Sequence, residues 1–182
     1  NLEKTLTGLP SAPEAQSATL SLSMDRPVLR HPPASAEVDY ATAVMEIRGE
    51  DLPELFSYRF DAQFPSGSIE AVTDGAEIGP FAAGSGNEVQ PSLAEAANAT
   101  GRVRLRAGTV GKNPGPSGDG VIARVVWKSR PVDRVTSVDI GLGGFAFTSA
   151  GGYPINVHSG SATIRLCHYA DLDCNDRISV RD

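Results

Sequence analysis

An all-β chain, an antiparallel β-sandwich or jelly roll of about nine strands, is what the 182-residue sequence predicts. Three features carry that expectation. Apolar residues recur at every second position over short stretches, the period of a strand with one face in a core and the other in water. Turn residues, drawn from 19 glycines and 13 prolines, separate those stretches at short intervals. Only one segment offers a helical pattern.

Residues 1–16 contain Pro10 and Pro13 and no lasting period, so they predict an extended N-terminal arm. From Ala18 to Met24, Leu20, Leu22 and Met24 point one way and serines the other, a half-buried strand. The stretch Arg30-His-Pro-Pro-Ala34 interrupts it, and a second strand is expected from Val38 to Arg48, ended by Gly49. The clearest alternation is Phe56, Tyr58, Phe60, Ala62 and Phe64 against Ser57, Arg59, Asp61 and Gln63, with the aromatics expected in the core. A turn at Pro65-Ser-Gly67 leads to a short strand over Ser68 to Thr73. Pro91 to Ala97 is the exception: proline is tolerated at a helix start, and the segment predicts one or two helical turns. In Gly101 to Ala107, Val103, Leu105 and Ala107 face in while Arg102, Arg104 and Arg106 face out. After a loop at Gly111 to Gly120, strands are expected at Val121–Trp127, Val135–Ile140, Gly144–Thr148, Ile155–His158 and Ala162–Leu166. The organisation is an arm at 1–16, a sandwich at 17–166 and an appended loop at 167–182.

A net charge of -6 leaves no basic stripe for nucleic acid or anionic lipid, and no apolar run approaches the roughly 20 residues of a membrane span. The chain begins at Asn1 rather than methionine, as expected where a leader has been removed or the chain trimmed. Cys167 and Cys174, an even count at close spacing in a polar sequence, predict a disulfide in an exported protein, against the plainer reading of two unrelated buried thiols. Zinc would need more ligands than these cysteines and His168 provide.

Catalytic machinery is hard to assemble. His31 lies in a loop, His158 on a strand surface and His168 beside a cysteine, none within a nucleophile or metalloprotease motif. Glu46, Glu50, Asp51 and Glu54 gather at one strand end, where paired carboxylates can hydrolyse glycosides, yet nothing fixes their separation and a solvated rim explains them. The glycines around Gly141–Gly144 and Gly151–Gly152 lack the strand-to-helix context of phosphate loops. Trp127 is phased inward, which leaves little for a sugar-stacking platform. No catalytic residue is therefore expected. Asn98-Ala-Thr100 is a glycosylation sequon. The outward ladder Arg102, Arg104 and Arg106 reads either as cross-strand pairing with acids such as Asp61 or as a contact surface for an acidic partner, such as the tail of another copy.

The order of features from Ser17 to Arg165 resembles the cohesin domain: the Leu-Pro element at Asp51-Leu-Pro53, the aromatic strand Phe56–Phe64, the segment Ile69-Glu-Ala-Val72 and the late strand Gly118-Asp-Gly-Val-Ile-Ala-Arg-Val-Val126. The final stretch, Asp171-Leu-Asp-Cys-Asn-Asp-Arg-Ile-Ser-Val-Arg-Asp182, is similar to a single calcium loop of a dockerin. That resemblance implies Ca2+ held by Asp171, Asp173, Asn175, the Arg177 carbonyl, Ser179 and Asp182, with Ile178 pinning the loop. It departs from the pattern at Asp176, which stands where a glycine normally makes the turn and so requires a left-handed backbone. The following helix and the second loop copy are also missing.

These features together predict a noncatalytic extracellular or cell-surface subunit for structure or adhesion. Its arm, anchored by Leu2, Leu6 and Leu9, would add as a strand to another copy and build head-to-tail fibres. Two alternatives stand beside it: a scaffoldin-type cohesin module that binds dockerin-bearing secreted enzymes, and a carbohydrate-binding accessory module.

Overall fold

A computed structural model describes residues 15–30, 42–111, 113–168, 170–171 and 173–177. His31, the start of the strand expected at Val38, Ser179, Asp182 and the arm's Leu2, Leu6 and Leu9 lie outside those residues.

Among the described residues eleven strands form, in chain order: β1 (Ser17–Met24), β2 (Val28–Arg30), β3 (Thr42–Leu52), β4 (Leu55–Gln63), β5 (Ile69–Ile78), β6 (Glu88–Ala97), β7 (Arg102–Val110), β8 (Gly118–Ser129), β9 (Thr136–Ser149), β10 (Pro154–Ser159) and β11 (Ser161–Cys167). The only helices among the described residues are two 3-10 turns, Pro80–Ser85 and Asn98–Thr100. The hydrogen-bonded order is β5-β8-β3-β1-β10-β9-β4-β7-β6, with β11 pairing β9 and β2. This path folds over on itself into two layers. β5-β8-β3-β1 forms one layer and β9-β4-β7-β6 the other, and β10 joins them by pairing parallel with β1 and antiparallel with β9.

The alternation read from the sequence fills the space between the layers. Ala43, Met45 and Ile47 of β3 register against Trp127, Val125 and Ala123 of β8, and all six are buried. From the opposite layer come Tyr58, Phe60, Val103, Leu105 and Phe147. Trp127 is fully buried, its ring edge-on to Phe64 at a centroid distance of 4.9 Å. Large aromatic surfaces contribute strongly here because burial stabilises by about 25 cal/mol per Å² of apolar area. One polar contact crosses the core: the Tyr58 hydroxyl donates to the Ile122 carbonyl at 3.0 Å. Burial raises the Tyr58 pKa well above the ordinary tyrosine value.

Three expectations need correction. Pro91–Ala97 is not helical but belongs to β6, whose ladder with β7 skips between Gln90 and Leu93, where proline has no N–H to give. Phe56 is not in the core. A bulge between Leu55 and Ser57 shifts the phase of β4, so Leu55 takes the buried place and Phe56 is left 50% exposed. Finally, the strands expected at Val135–Ile140 and Gly144–Thr148 are one continuous strand, β9.

The two ends of the path, β5 and β6, come together again, and a side chain closes the gap. Asn98, just after β6, accepts from the Ala71 N–H at 2.8 Å and donates from Nδ2 to the Ala71 carbonyl at 2.9 Å. Its carboxamide thus makes the pair of bonds a neighbouring strand would make. The sequon asparagine is a clasp between the layers.

Candidate functional site

The outer surface of β9-β4-β7-β6 is an exposed four-strand face, and strand register arranges its residues in rows. Asp61 sits between Arg104 on β7 and Gly143 on β9, with Glu95 of β6 beyond Arg104. Its Oδ1 accepts from the Arg104 Nε at 3.1 Å, and its Oδ2 lies 3.5 Å from the Arg102 Nε. Packed beneath these guanidinium groups, Asp61 is buried although it points outward. Two arginines of the ladder are therefore internally paired, as cross-strand charge complementarity favours. Arg106 is not. It registers against Arg59, and among the described residues neither makes an ion pair or side-chain hydrogen bond. A concavity of about 450 Å³ lies around them, lined also by Ser57, Gly108, Ala146 and Thr148. Beside Asp61, β9 bulges at Gly144, whose φ of 63° suits glycine and where a Cβ would stand 3.2 Å from the Asp61 carboxylate.

Of the residues predicted for metal binding, Asp171, Asp173, Asn175 and Arg177 fall in a tight turn near the C-terminal end of the sequence. Cys167 and Cys174 form the expected disulfide, with Cα atoms 5.5 Å apart, and fasten the turn to the end of β11. Asp171, only 2% exposed, accepts from the N–H of Asn175 at 3.1 Å and of Asp176 at 2.8 Å. Burial raises its pKa, but the Asp176, Asn175 and Cys174 amides and the Asp173 side chain together outweigh that and hold it below the ordinary carboxylate value. Asn175 donates from Nδ2 to the Asp173 carboxylate at 2.6 Å and accepts from the Arg177 N–H at 2.8 Å. Asp176 does adopt the left-handed backbone its position requires, with φ 67°. Its carboxylate accepts from the Val135 N–H at 2.9 Å, and Arg165 donates to the Cys174 carbonyl at 2.5 Å.

This donor set has the chemistry of a hard-cation site. Asp171 uses one lone pair on each oxygen for an amide, and a carboxylate offers about four, so capacity for a cation remains. Among the described residues, no three acidic, histidine or cysteine side chains converge as a metal site. The two remaining predicted ligands, Ser179 and Asp182, lie outside the described residues.

The remaining polar residues singled out in the sequence do not converge. Glu46 accepts from Arg124 at 2.8 Å, which also reaches Glu77 at 3.4 Å, and Glu54 accepts from the Gly115 N–H at 3.0 Å. The acidic cluster is thus divided among separate surface contacts. His158 is exposed on β10, and the His168 Nδ1 accepts from the Ala170 N–H at 3.2 Å. The sequence reading missed Arg59 as a site residue, although its place in the outward set of the aromatic strand, two before Asp61, held the signal.

No sequence-family profile and no curated protein matches the chain. Solved structures do, at the level of the fold. A non-cellulosomal cohesin from the archaeon Archaeoglobus fulgidus is 13% identical, with a TM-score of 0.60 over 82% of this chain and 91% of that one. The chain has a cohesin-like fold. A type I cohesin from Clostridium thermocellum, solved in complex with a dockerin, gives a TM-score of 0.63 at 13% identity over 84% and 95% of the two chains. A type II cohesin from the cellulosome of Acetivibrio cellulolyticus gives 0.57 at 11% identity over 87% and 97%.

Proposed function

We propose that the protein is a noncatalytic protein-interaction module that works outside the cell or at its surface and binds a dockerin-type partner. The observation that carries this reading is the cohesin-like fold, since cohesins of this shape have been solved bound to dockerins. An exposed four-strand face, rather than an enclosed cleft with convergent titratable groups, supports it further. In this reading the terminal loop binds Ca2+ through Asp171, Asp173, Asn175 and the Arg177 carbonyl, with Ser179 and Asp182 completing the shell. The ion would neutralise carboxylates that the disulfide holds close together. The test is calorimetric titration of the full chain with a panel of tandem-loop dockerins in millimolar calcium. Saturable binding of one or more is expected, and silence across the panel would sink the proposal. Repeating a thermal melt after chelation tests the ion: an unchanged melt would remove calcium from the account.

Self-assembly into fibres is the second reading. It is favoured by β6, which among the described residues has a backbone ladder with β7 alone, so that apart from the Asn98 clasp to β5 its other side could take an added strand. Size-exclusion chromatography of the full chain beside a form lacking residues 1–16 discriminates the two: identical monomer peaks at high concentration would end the fibre reading.

A further inference from the structure

Three neighbouring rows of the exposed face differ sharply in charge balance. In the row of Asp61, two carboxylates, Asp61 and Glu95, flank Arg104, and the Asp61 oxygens are taken by Arg104 and Arg102. The next row reads Leu93, Arg106, Arg59, Ala146 across β6, β7, β4 and β9. It places two exposed guanidinium groups directly opposite one another, between apolar neighbours, with no acid in the row. Like charges in that position oppose folding, and among the described residues no carboxylate pairs with either of them. The row after that carries only small side chains from β7 to β9, Gly108, Ser57 and Thr148, so an incoming backbone can approach closely over those three strands. At the end of the same strands, Phe56 and Val110 are 50% and 46% exposed.

We propose that Arg59 and Arg106 anchor a carboxylate side chain of a protein partner, with the partner's adjoining apolar residue lying against Phe56 and Val110. The proposal rests on the reading of the protein as an interaction module and adds the chemistry of what is recognised. A guanidinium fork matches a carboxylate with two parallel hydrogen bonds, and two forks across one sheet rung offer four donors to one acid. The open shape favours a side chain carried by a larger partner over a small free anion, because ligand pockets enclose most of their guest and this concavity does not. Charge complementarity supports an acidic protein segment: on a chain of net charge -6, a row with two exposed arginines and no acid is a local basic spot, so it also sets orientation.

The test uses the 15N-labelled full chain and observes arginine Nε–Hε signals by NMR. The probe is the peptide acetyl-Leu-Glu-Glu-Leu-amide, with its Leu-Gln-Gln-Leu counterpart as control. The glutamate peptide should shift Arg59 and Arg106 in a saturable, salt-sensitive way, leave Arg102 and Arg104 nearly still, and lose its effect in R59Q/R106Q. Absence of shifts, or equal shifts at all four arginines, overturns the proposal. A second measurement separates it from its parent reading. Should a dockerin bind, R59Q/R106Q is expected to weaken that complex by about tenfold or more. Unchanged affinity there would discard the anchor and leave the interaction module standing. If no dockerin binds while the glutamate peptide still moves these two signals, the anchor stands without the module's proposed partner.

Discussion

Replacing Asn98 by alanine should destabilise the fold out of proportion to its position at a strand end. Among the described residues, the side chain is the sole partner of the Ala71 N–H and carbonyl on the side facing away from β8, at 2.8 and 2.9 Å. Ala71 itself is 1% exposed, so water does not readily replace those bonds. A net hydrogen bond contributes about 1 kcal/mol, and a buried group left unpaired costs about 1–3 kcal/mol. The expected loss for N98A is therefore about 2–4 kcal/mol. N98D is the sharper probe. It keeps the acceptor for the Ala71 N–H but turns the donor into an oxygen facing the Ala71 carbonyl, so it should fall within the same range despite its nearly identical shape. N87A provides the comparison: Asn87 clasps the backbone at residues 113 and 114 in a similar way, but in exposed bonds that water replaces, so about 1 kcal/mol is expected. Urea unfolding followed by tryptophan fluorescence reads all three. With a slope of about 2 kcal/mol per molar, N98A should shift the midpoint by about 1–2 M. If N98A and N87A cost the same, or N98D is neutral, the clasp does not close the layers as described.

Tyr58→Phe should cost only about 1 kcal/mol, because the Ile122 carbonyl still accepts from the Gly79 N–H at 2.9 Å and is not orphaned. Since burial holds the folded Tyr58 pKa above its unfolded value, its contribution is complete below about pH 10 and falls as pH rises beyond it. Alkaline melts of the parent should therefore decline more steeply than those of Y58F, and parallel curves would count against a neutral buried hydroxyl. Asp61→Ala should cost about 1–2 kcal/mol by stranding Arg102 and Arg104 beside Arg106. That deficit should shrink in high salt, where the like charges are screened, in thermal melts at two ionic strengths. Replacing both Cys167 and Cys174 by serine should cost about 2–3 kcal/mol on loop-closure grounds, read from the same urea curves.

The fold was legible wherever one strand face met water and the other met the core. β4 and β7 announce themselves because Phe60, Val103 and Leu105 alternate with charged residues. β6 was hidden because its Ala-Glu-Ala composition favours a helix locally, and only pairing along β7 overrides that preference. β2 is three residues long, too short to display a period, and owes its place to a parallel pairing with β11. The exposure of Phe56 was invisible for a different reason, since a bulge depends on the neighbouring strand and leaves alternation in the sequence unbroken. In the terminal loop, the resemblance to a dockerin loop implied the left-handed Asp176, and the even count and close spacing of the cysteines foretold the disulfide. The candidate face was half legible: three arginines and Asp61 could be named, but which arginine Asp61 leaves unpaired is decided by register alone. Asn98 was readable as a modification sequon, and its role as a clasp emerges only when β5 is placed beside it.

The parallel pairing of β1 with β10, and of β2 with β11, bears on how the molecule meets tension. Force applied along β1 in one direction and along β10 in the other would slide the strands lengthwise, so their cross-links would share the load together. An antiparallel hairpin pulled from its open end gives way one rung at a time. Were the chain held at β1 and β10 by two larger bodies, this geometry would resist their separation collectively.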